Sequence, residues 1–166
     1  MNLLVKAGDK QEFLISKDAI CHLSITIRNM IKDSNIEDIE KNPFIDLSHI
    51  PGKFVEKIIQ WCAHYYDKPD KLKIYVKGKD IELSDWDKKL FDLEIDDLLE
   101  LYQISDYLEI CSLTHAMAKY IAGLIELKTP EEIRQMFHIE NDLDKNKEKK
   151  IVNNPFGKCL RIQIED

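Results

Sequence analysis

The groups in this chain able to do chemistry are four cysteines, five histidines and 31 carboxylates. Their spacing argues against a reaction centre. Cys21, Cys62, Cys111 and Cys159 lie far apart, with no Cys-x-x-Cys and no Cys/His cluster at zinc-ligand spacing. Cys62 and His64 come nearest to a nucleophile and its base. They fall two positions apart in one expected helix, so their side chains point in different directions, and a packed thiol beside a half-exposed imidazole is expected instead. His22, His49, His115 and His138 occupy unrelated contexts. No His-Glu-x-x-His, Gly-x-Ser-x-Gly or glycine-rich phosphate loop occurs, and the five glycines stand singly. No pair of carboxylates is marked by spacing for acid/base work. The expectation is a protein without catalytic residues, cofactor or metal, so its function must lie in its surfaces.

Charge narrows the partners. With 24 basic and 31 acidic residues among 166, the balance is −7, and an acidic chain without a dense basic patch is a poor binder of phosphate backbones. Lys145 to Lys150 is locally basic but interleaved with Asn and Glu, which reads as a solvated helix face or tail. Nucleic acid is therefore not expected. No run approaches ~18 apolar residues, so no membrane span is expected either. Met1 to Ala7 lacks the charged flank and long apolar region of a leader. An intracellular, reducing setting in cytoplasm and nucleus is the expectation, with free thiols.

The surfaces must be carried by the elements. Asn2–Ala7 and Gln11–Ser16 flank Gly8-Asp9-Lys10 and read as a hairpin, with Phe13 and Ile15 on one face. Ser16 is placed to cap a short turn over Lys17 to Cys21. Ser24 is placed to cap a helix striped by Ile27, Met30 and Ile31. Phe44 to Leu47 is a short strand. Pro51-Gly52 opens a helix to about Tyr66, striped by Val55, Ile58, Ile59, Cys62 and, a turn later, Tyr65 or Tyr66. Asp70 to Ser84 reads either as a marginal hairpin or as an insert. Ser84 or Asp85 caps a short helix from Trp86 to Phe91. Ile95 to Leu108 is apolar on most sides and is expected to form the core. Ile110 to Ile125 follows, with Leu113, Met117, Ile121, Leu124 and Ile125 at helical spacing.

Thr129 to Phe137 carries the most positional information. Thr129 caps, Pro130 fits the first helical position, and Glu132 completes a capping box. Ile133, Met136 and Phe137 then form one apolar stripe. Periodicity alone would make that stripe core. Beyond it, a weakly amphipathic helix is expected from about Lys145 to Asn153, broken at Pro155, and Leu160 to Ile164 alternates like a strand.

These segments, in this order, resemble the Skp family, the adaptors that join F-box proteins to a cullin in SCF-type ubiquitin ligases. Thr129-Pro130-Glu131-Glu132-Ile133-Arg134 with Phe137, Ile139, Asn141 and Asp142 is similar to the family signature. Ile59-Gln60-Trp61-Cys62 with His64 resembles its "IQWC" helix, and Ile27 to Asp33 its "IKTMLED" segment. Trp86-Asp87 resembles its "WD" start, and Leu98 to Ile110 its "ANYLDI" helix. The resemblance spans roughly Asn2 to Asp142. It implies an α+β chain: a BTB/POZ fold, a small sheet flanked by helices, over residues 1–125. A carboxyl-terminal helical extension over 126–154 and a tail over 155–166 complete the expectation.

The resemblance further implies an F-box surface from Leu113, Met117, Ile121 and Ile125, joined by Pro130, Ile133, Phe137, Ile139 and Asn141. Asn141 would bond a partner backbone or cap the next helix. Cullin contact falls to Asp106 and Tyr107, Tyr107 being equally readable as a core-edge aromatic. The chain departs from the family in three places. Asp106 stands where the pattern has Asn; Leu72 to Leu83 replaces an acidic linker; and Pro155 to Cys159 replaces the closing Trp-Cys. The resemblance implies a non-enzymatic adaptor with F-box proteins and a cullin as partners. The alternative is a BTB-type protein that self-associates as a homodimer, or that binds F-box proteins without cullin.

Overall fold

The hairpin forms because the chain reverses over Gly8-Asp9-Lys10, where Lys10 takes a left-handed φ of 65° and its N–H donates to the Ala7 carbonyl at 3.1 Å. Gly8 is required by a close approach. Its N–H donates to the Ile50 carbonyl at 2.8 Å, and a Cβ there would lie 2.5 Å from the Ser48 carbonyl oxygen. The computed structural model describes residues 1–33, 44–68, 70–72 and 81–144. The expected helix over Lys145 to Asn153 and the strand over Leu160 to Ile164 lie outside them.

Strands β1 (Asn2–Ala7) and β2 (Glu12–Ser16) pair antiparallel, and β1 pairs parallel with β3 (Phe44–Leu47), giving the order β2-β1-β3. Alternation sends Leu3, Val5, Ala7, Ile15, Ile45 and Leu47 inward, all buried. Between β2 and β3 run α1 (Lys17–Leu23) and α2 (Ile25–Asp33). Then follow α3 (Gly52–Tyr65), α4 (Asp85–Leu90), α5 (Ile95–Tyr107), α6 (Cys111–Ile125) and α7 (Pro130–Met136). The chain divides into two compact units between Ile121 and Ala122, inside α6 and a turn ahead of the expected boundary.

The centre of the first unit is α3. Phe54, Val55, Ile58, Trp61, Cys62 and Tyr65 are all buried, a wider face than the sequence stripe suggested. The expectation that α5 forms the core is corrected in part. Leu98, Leu101 and Ser105 are buried, but Tyr107 is 56% exposed. Around Trp61 an aromatic cluster closes the unit: Tyr65 at 4.4 Å between ring centroids, Phe91 at 5.8 Å and Trp86 at 6.2 Å. The Trp61 indole N–H donates to Ser112 Oγ at 3.2 Å. Such rings bury large areas, and their polar edges must find partners.

Two expected caps diverge. Ser24 caps α2, accepting from the Ile27 N–H at 3.1 Å. Ser16 precedes α1, but its hydroxyl makes no cap bond. Ser84 caps α4 through a full capping box with Asp87, which is wholly buried. The Asp87 carboxylate also accepts from the Tyr65 phenol at 2.5 Å. Leu72 is buried at the end of a helical turn, and Ile81 to Ser84 is not extended into a strand. The rest of the expected hairpin, 73–80, lies outside the described residues.

Two outcomes follow from this core. Asp87→Ala leaves the Tyr65 hydroxyl and the Ser84 cap without their acceptor, and should lower unfolding stability by about 3 kcal/mol in urea titration. The His64 ring stacks on Trp86 at 3.7 Å, with Lys68 Nζ at 2.8 Å from Nε2. Burial, then the Lys68 ammonium, holds its pKa below the usual 6.5, with Asp87 opposing. A lowered folded pKa means that the neutral ring is favoured in the fold. This share of stability is full above about pH 6.5 and is lost as pH falls through the folded value. Thermal melts should therefore show His64→Gln with a shallower loss between pH 7 and pH 5 than the unaltered chain.

Candidate protein-interaction surfaces

The described part of the second unit is built around α7, and its start is fixed locally. The Thr129 hydroxyl accepts from the Glu132 N–H at 3.3 Å, while the Thr129 N–H donates to Glu132 Oε2 at 2.8 Å. Pro130 occupies the first turn. The Thr129 N–H, then its hydroxyl, hold the Glu132 carboxyl below its usual range, so the box is closed by an ionised group. Glu131 pairs with Arg134 at 3.3 Å.

The far end of α7 is equally determined. His138 is left-handed at φ 53°, its N–H donates to Gln135 at 3.4 Å, and the Ile139 N–H donates to Arg134 at 2.8 Å. That is a Schellman closure with histidine where glycine is usual. It leaves Ile139 56% exposed just past the helix, beside half-buried Ile133, Met136 and Phe137. Glu131, Arg134, Gln135, His138, Ile139, Glu140 and Asn141 line an open depression of about 470 Å³. Asn141 accepts from the Leu143 N–H at 3.3 Å, the local turn of the following segment.

On α6 the stripe drawn from periodicity is split. Leu113 and Met117, expected on the binding surface, are 1% and 0% exposed and lie inside the first unit. Ser112, Thr114 and Ala116 are buried with them, so this half of α6 is enclosed on several sides. Ile121 and Ile125 are half-buried, and Pro130 and Asn141 are exposed.

Tyr107 stands at the end of α5, in the first unit. Its ring meets His49 edge to face at 5.3 Å and 87°. The Thr26 hydroxyl lies 3.1 Å from both the Tyr107 carbonyl and Glu109 Oε1. Asp106 is exposed beside it. This helix also closes by a Schellman turn, with Glu109 at φ 50° and the Ile110 N–H donating to Ser105 at 2.9 Å. Sequence reading named Tyr107 and Asp106 but not His49, Thr26 or Glu109. No local signal links Thr26 to Tyr107, 81 residues away.

Among the described residues no group of His, Cys, Asp and Glu could hold a metal ion. Cys21, Cys62 and Cys111 are free thiols. Burial pushes Cys62 up to about 12, which leaves it a protonated packing group.

The non-glycine turn after α7 has a measurable cost. His138→Gly removes the left-handed strain and should slow hydrogen exchange at the Ile139 amide several-fold, an effect of roughly 1 kcal/mol. Faster exchange would mean that the His138 side chain, not the backbone, holds the turn.

Comparison with known proteins identifies the family. Residues 2–67 match the tetramerisation domain of the Skp1 family, and residues 112–154 its dimerisation domain. SKP1-like protein 11 of Arabidopsis thaliana is 31% identical over 150 residues, covering 90% of this chain and 91% of that protein. SCF ubiquitin ligase complex protein SKP1a of Dictyostelium discoideum is 32% identical, covering 89% of each. Suppressor of kinetochore protein 1 of Schizosaccharomyces pombe is 30% identical, covering 87% of this chain and 89% of that protein. The small sheet with its surrounding helices has the α+β character of a BTB/POZ-like fold with a helical carboxyl-terminal part, and by domain match and by similarity along most of its length the chain belongs to the Skp1 family.

Proposed function

We propose that this chain is an adaptor subunit of a cullin-type SCF ubiquitin ligase. It holds F-box substrate receptors on the extension and a cullin at Tyr107, and itself performs no chemistry. Its setting is the cytoplasm and nucleus. The observation that carries this reading is the sharply delimited α7, whose apolar residues Ile133, Phe137 and Ile139 remain partly open to solvent in a chain of this family. Relatives carry names that place them in SCF complexes.

Magnitude sorts the anchors. A fully buried Ile or Phe contributes roughly 1.5–3 kcal/mol, but only the still-exposed part counts on binding. Ile139, more than half exposed, has the most left to bury. Ile133 and Phe137 have less each, but they flank it on one short helix and its closing turn. Pro130, Asn141 and Ile125 belong to the same unit and complete the set. A cluster of this kind is what makes an interface hot spot. Exposed Asp106 favours a second reading, in which a carboxylate beside Tyr107 weakens cullin contact and the chain holds F-box proteins without a cullin.

Binding assays separate these. Immobilised protein is probed with an F-box peptide and with a cullin amino-terminal domain. Both should bind, and Ile139→Ala should weaken the peptide by about tenfold, near 1.4 kcal/mol. Ile133→Asp with Phe137→Ala should abolish peptide binding while circular dichroism shows the first unit still folded. Tyr107→Ala should remove cullin binding alone. Peptide binding without cullin binding selects the second reading, and binding of neither refutes both.

A further inference from the structure

The end of α5 that presents Tyr107 carries negative charge that the chain does not balance. Asp106 sits in the last turn of the helix, where the terminal carbonyls already make a helix end partly negative, and no basic residue occupies that turn. Glu109 follows in the left-handed turn. Both residues are exposed, one before and one after Tyr107 in the chain. Among the described residues neither carboxylate takes part in an ion pair.

The packed neighbours do not supply a cation. The amino terminus of α2 meets this end, where the Ser24 and Thr26 hydroxyls reach the Leu108 and Tyr107 carbonyls at 2.6 and 3.1 Å. Those contacts serve the carbonyls but bring no full charge. The Thr26 hydroxyl also lies 3.1 Å from Glu109 Oε1, which gives that carboxylate a fixed neighbour beside the ring-bearing backbone. Arg28, the first basic residue of α2, directs its guanidinium to the Cys21 and His22 carbonyls at 2.6 and 3.1 Å. Lys6 lies opposite Asp46 in the register of β1 and β3. The His49 imidazole meets the Tyr107 ring edge to face.

A 56% exposed aromatic ring flanked by two unbalanced carboxylates sets two demands on whatever covers it. The ring offers apolar area, and a carboxylate covered without a counter-charge is costly. On the reading that places a cullin at Tyr107, we infer that this contact is charge-selective: the cullin segment that covers the ring presents a Lys or Arg side chain to Asp106 and Glu109. Arg meets both demands, because its planar guanidinium stacks on an aromatic face and donates in pairs to a carboxylate. Asp106 then strengthens the contact and sets which cullin is accepted, where the second reading makes it an obstacle. Opposite charges at such exposed positions act chiefly on the association rate, and salt screens them.

Binding of a cullin amino-terminal domain to the full chain in rising salt tests this. Affinity should fall as salt increases from ~0.05 to ~0.5 M. Asp106→Asn with Glu109→Gln should weaken binding about fivefold at low salt, mostly through slower association, and flatten the salt dependence. Circular dichroism should show that variant folded as the unaltered chain is. Asp106→Lys should lose more. A scan that reverses each basic residue of the cullin helices to Glu should find one that restores binding to Asp106→Lys. Binding that Asp106→Asn leaves unchanged at every salt concentration overturns the inference and leaves the cullin reading standing. Binding that Asp106→Asn tightens overturns it in favour of the second reading. No binding by either the unaltered chain or Asp106→Asn refutes the cullin reading, and the inference with it.

Discussion

Ser24 is fully buried, and its hydroxyl does two things at once. It accepts from the Ile27 N–H, starting α2, and it donates to the Leu108 carbonyl at 2.6 Å, 84 residues further along. A buried carbonyl at a helix end has no intrahelical donor and must find one elsewhere. One serine thereby ties the beginning of one helix to the end of another. Thr26, two residues on, repeats the tie at the Tyr107 carbonyl. The backbone that presents Tyr107 is held from beneath by α2, so the ring is exposed on a fixed support.

The ends of α5 and α7 are built alike. Each closes by a Schellman turn, and each places a residue with a full side chain, Glu109 or His138, in the left-handed region. That conformation costs such residues roughly 1–2 kcal/mol relative to glycine. At α5 the cost is offset by use of the side chain: Glu109 shares the Thr26 hydroxyl. At α7, His138 lines the depression beside Ile139 and Asn141. In both places the turn carries the chain sharply off the helix axis, and an apolar residue stands exposed next to it. Tyr107 precedes one turn and Ile139 follows the other. In both places backbone strain therefore stands beside an exposed apolar residue, the kind of position where strain is often functional.

The interior explains why the protein can serve as a scaffold. Tyr65, Trp86 and Phe91 pack around Trp61; the Trp61 N–H is satisfied by Ser112 and the Tyr65 hydroxyl by Asp87. Among the described residues no buried side-chain polar atom is left without a partner. The thiol of Cys62 and the imidazole of His64, the nearest pair in sequence to a nucleophile and base, are absorbed into this packing. One is buried and protonated, and the other is stacked on an indole.

The local devices were written in the sequence. The box at Thr129 and Glu132, the cap at Ser84, the Gly8 reversal and the helical stripes all close within a few residues, so residue types at fixed offsets determine them. Family membership was legible for the same reason, since it rests on an ordered set of such short segments. Which face of each element meets solvent was not. Leu113 and Ile121 share one periodic stripe, yet one is enclosed and the other half-open. Tyr107 looked as apolar as Leu108, yet it stands outside beside His49, from the turn after β3. Burial depends on which distant segments pack against a helix or sheet. Periodicity states that an apolar face exists, and only the tertiary arrangement decides whether the chain itself covers it or leaves it for another protein.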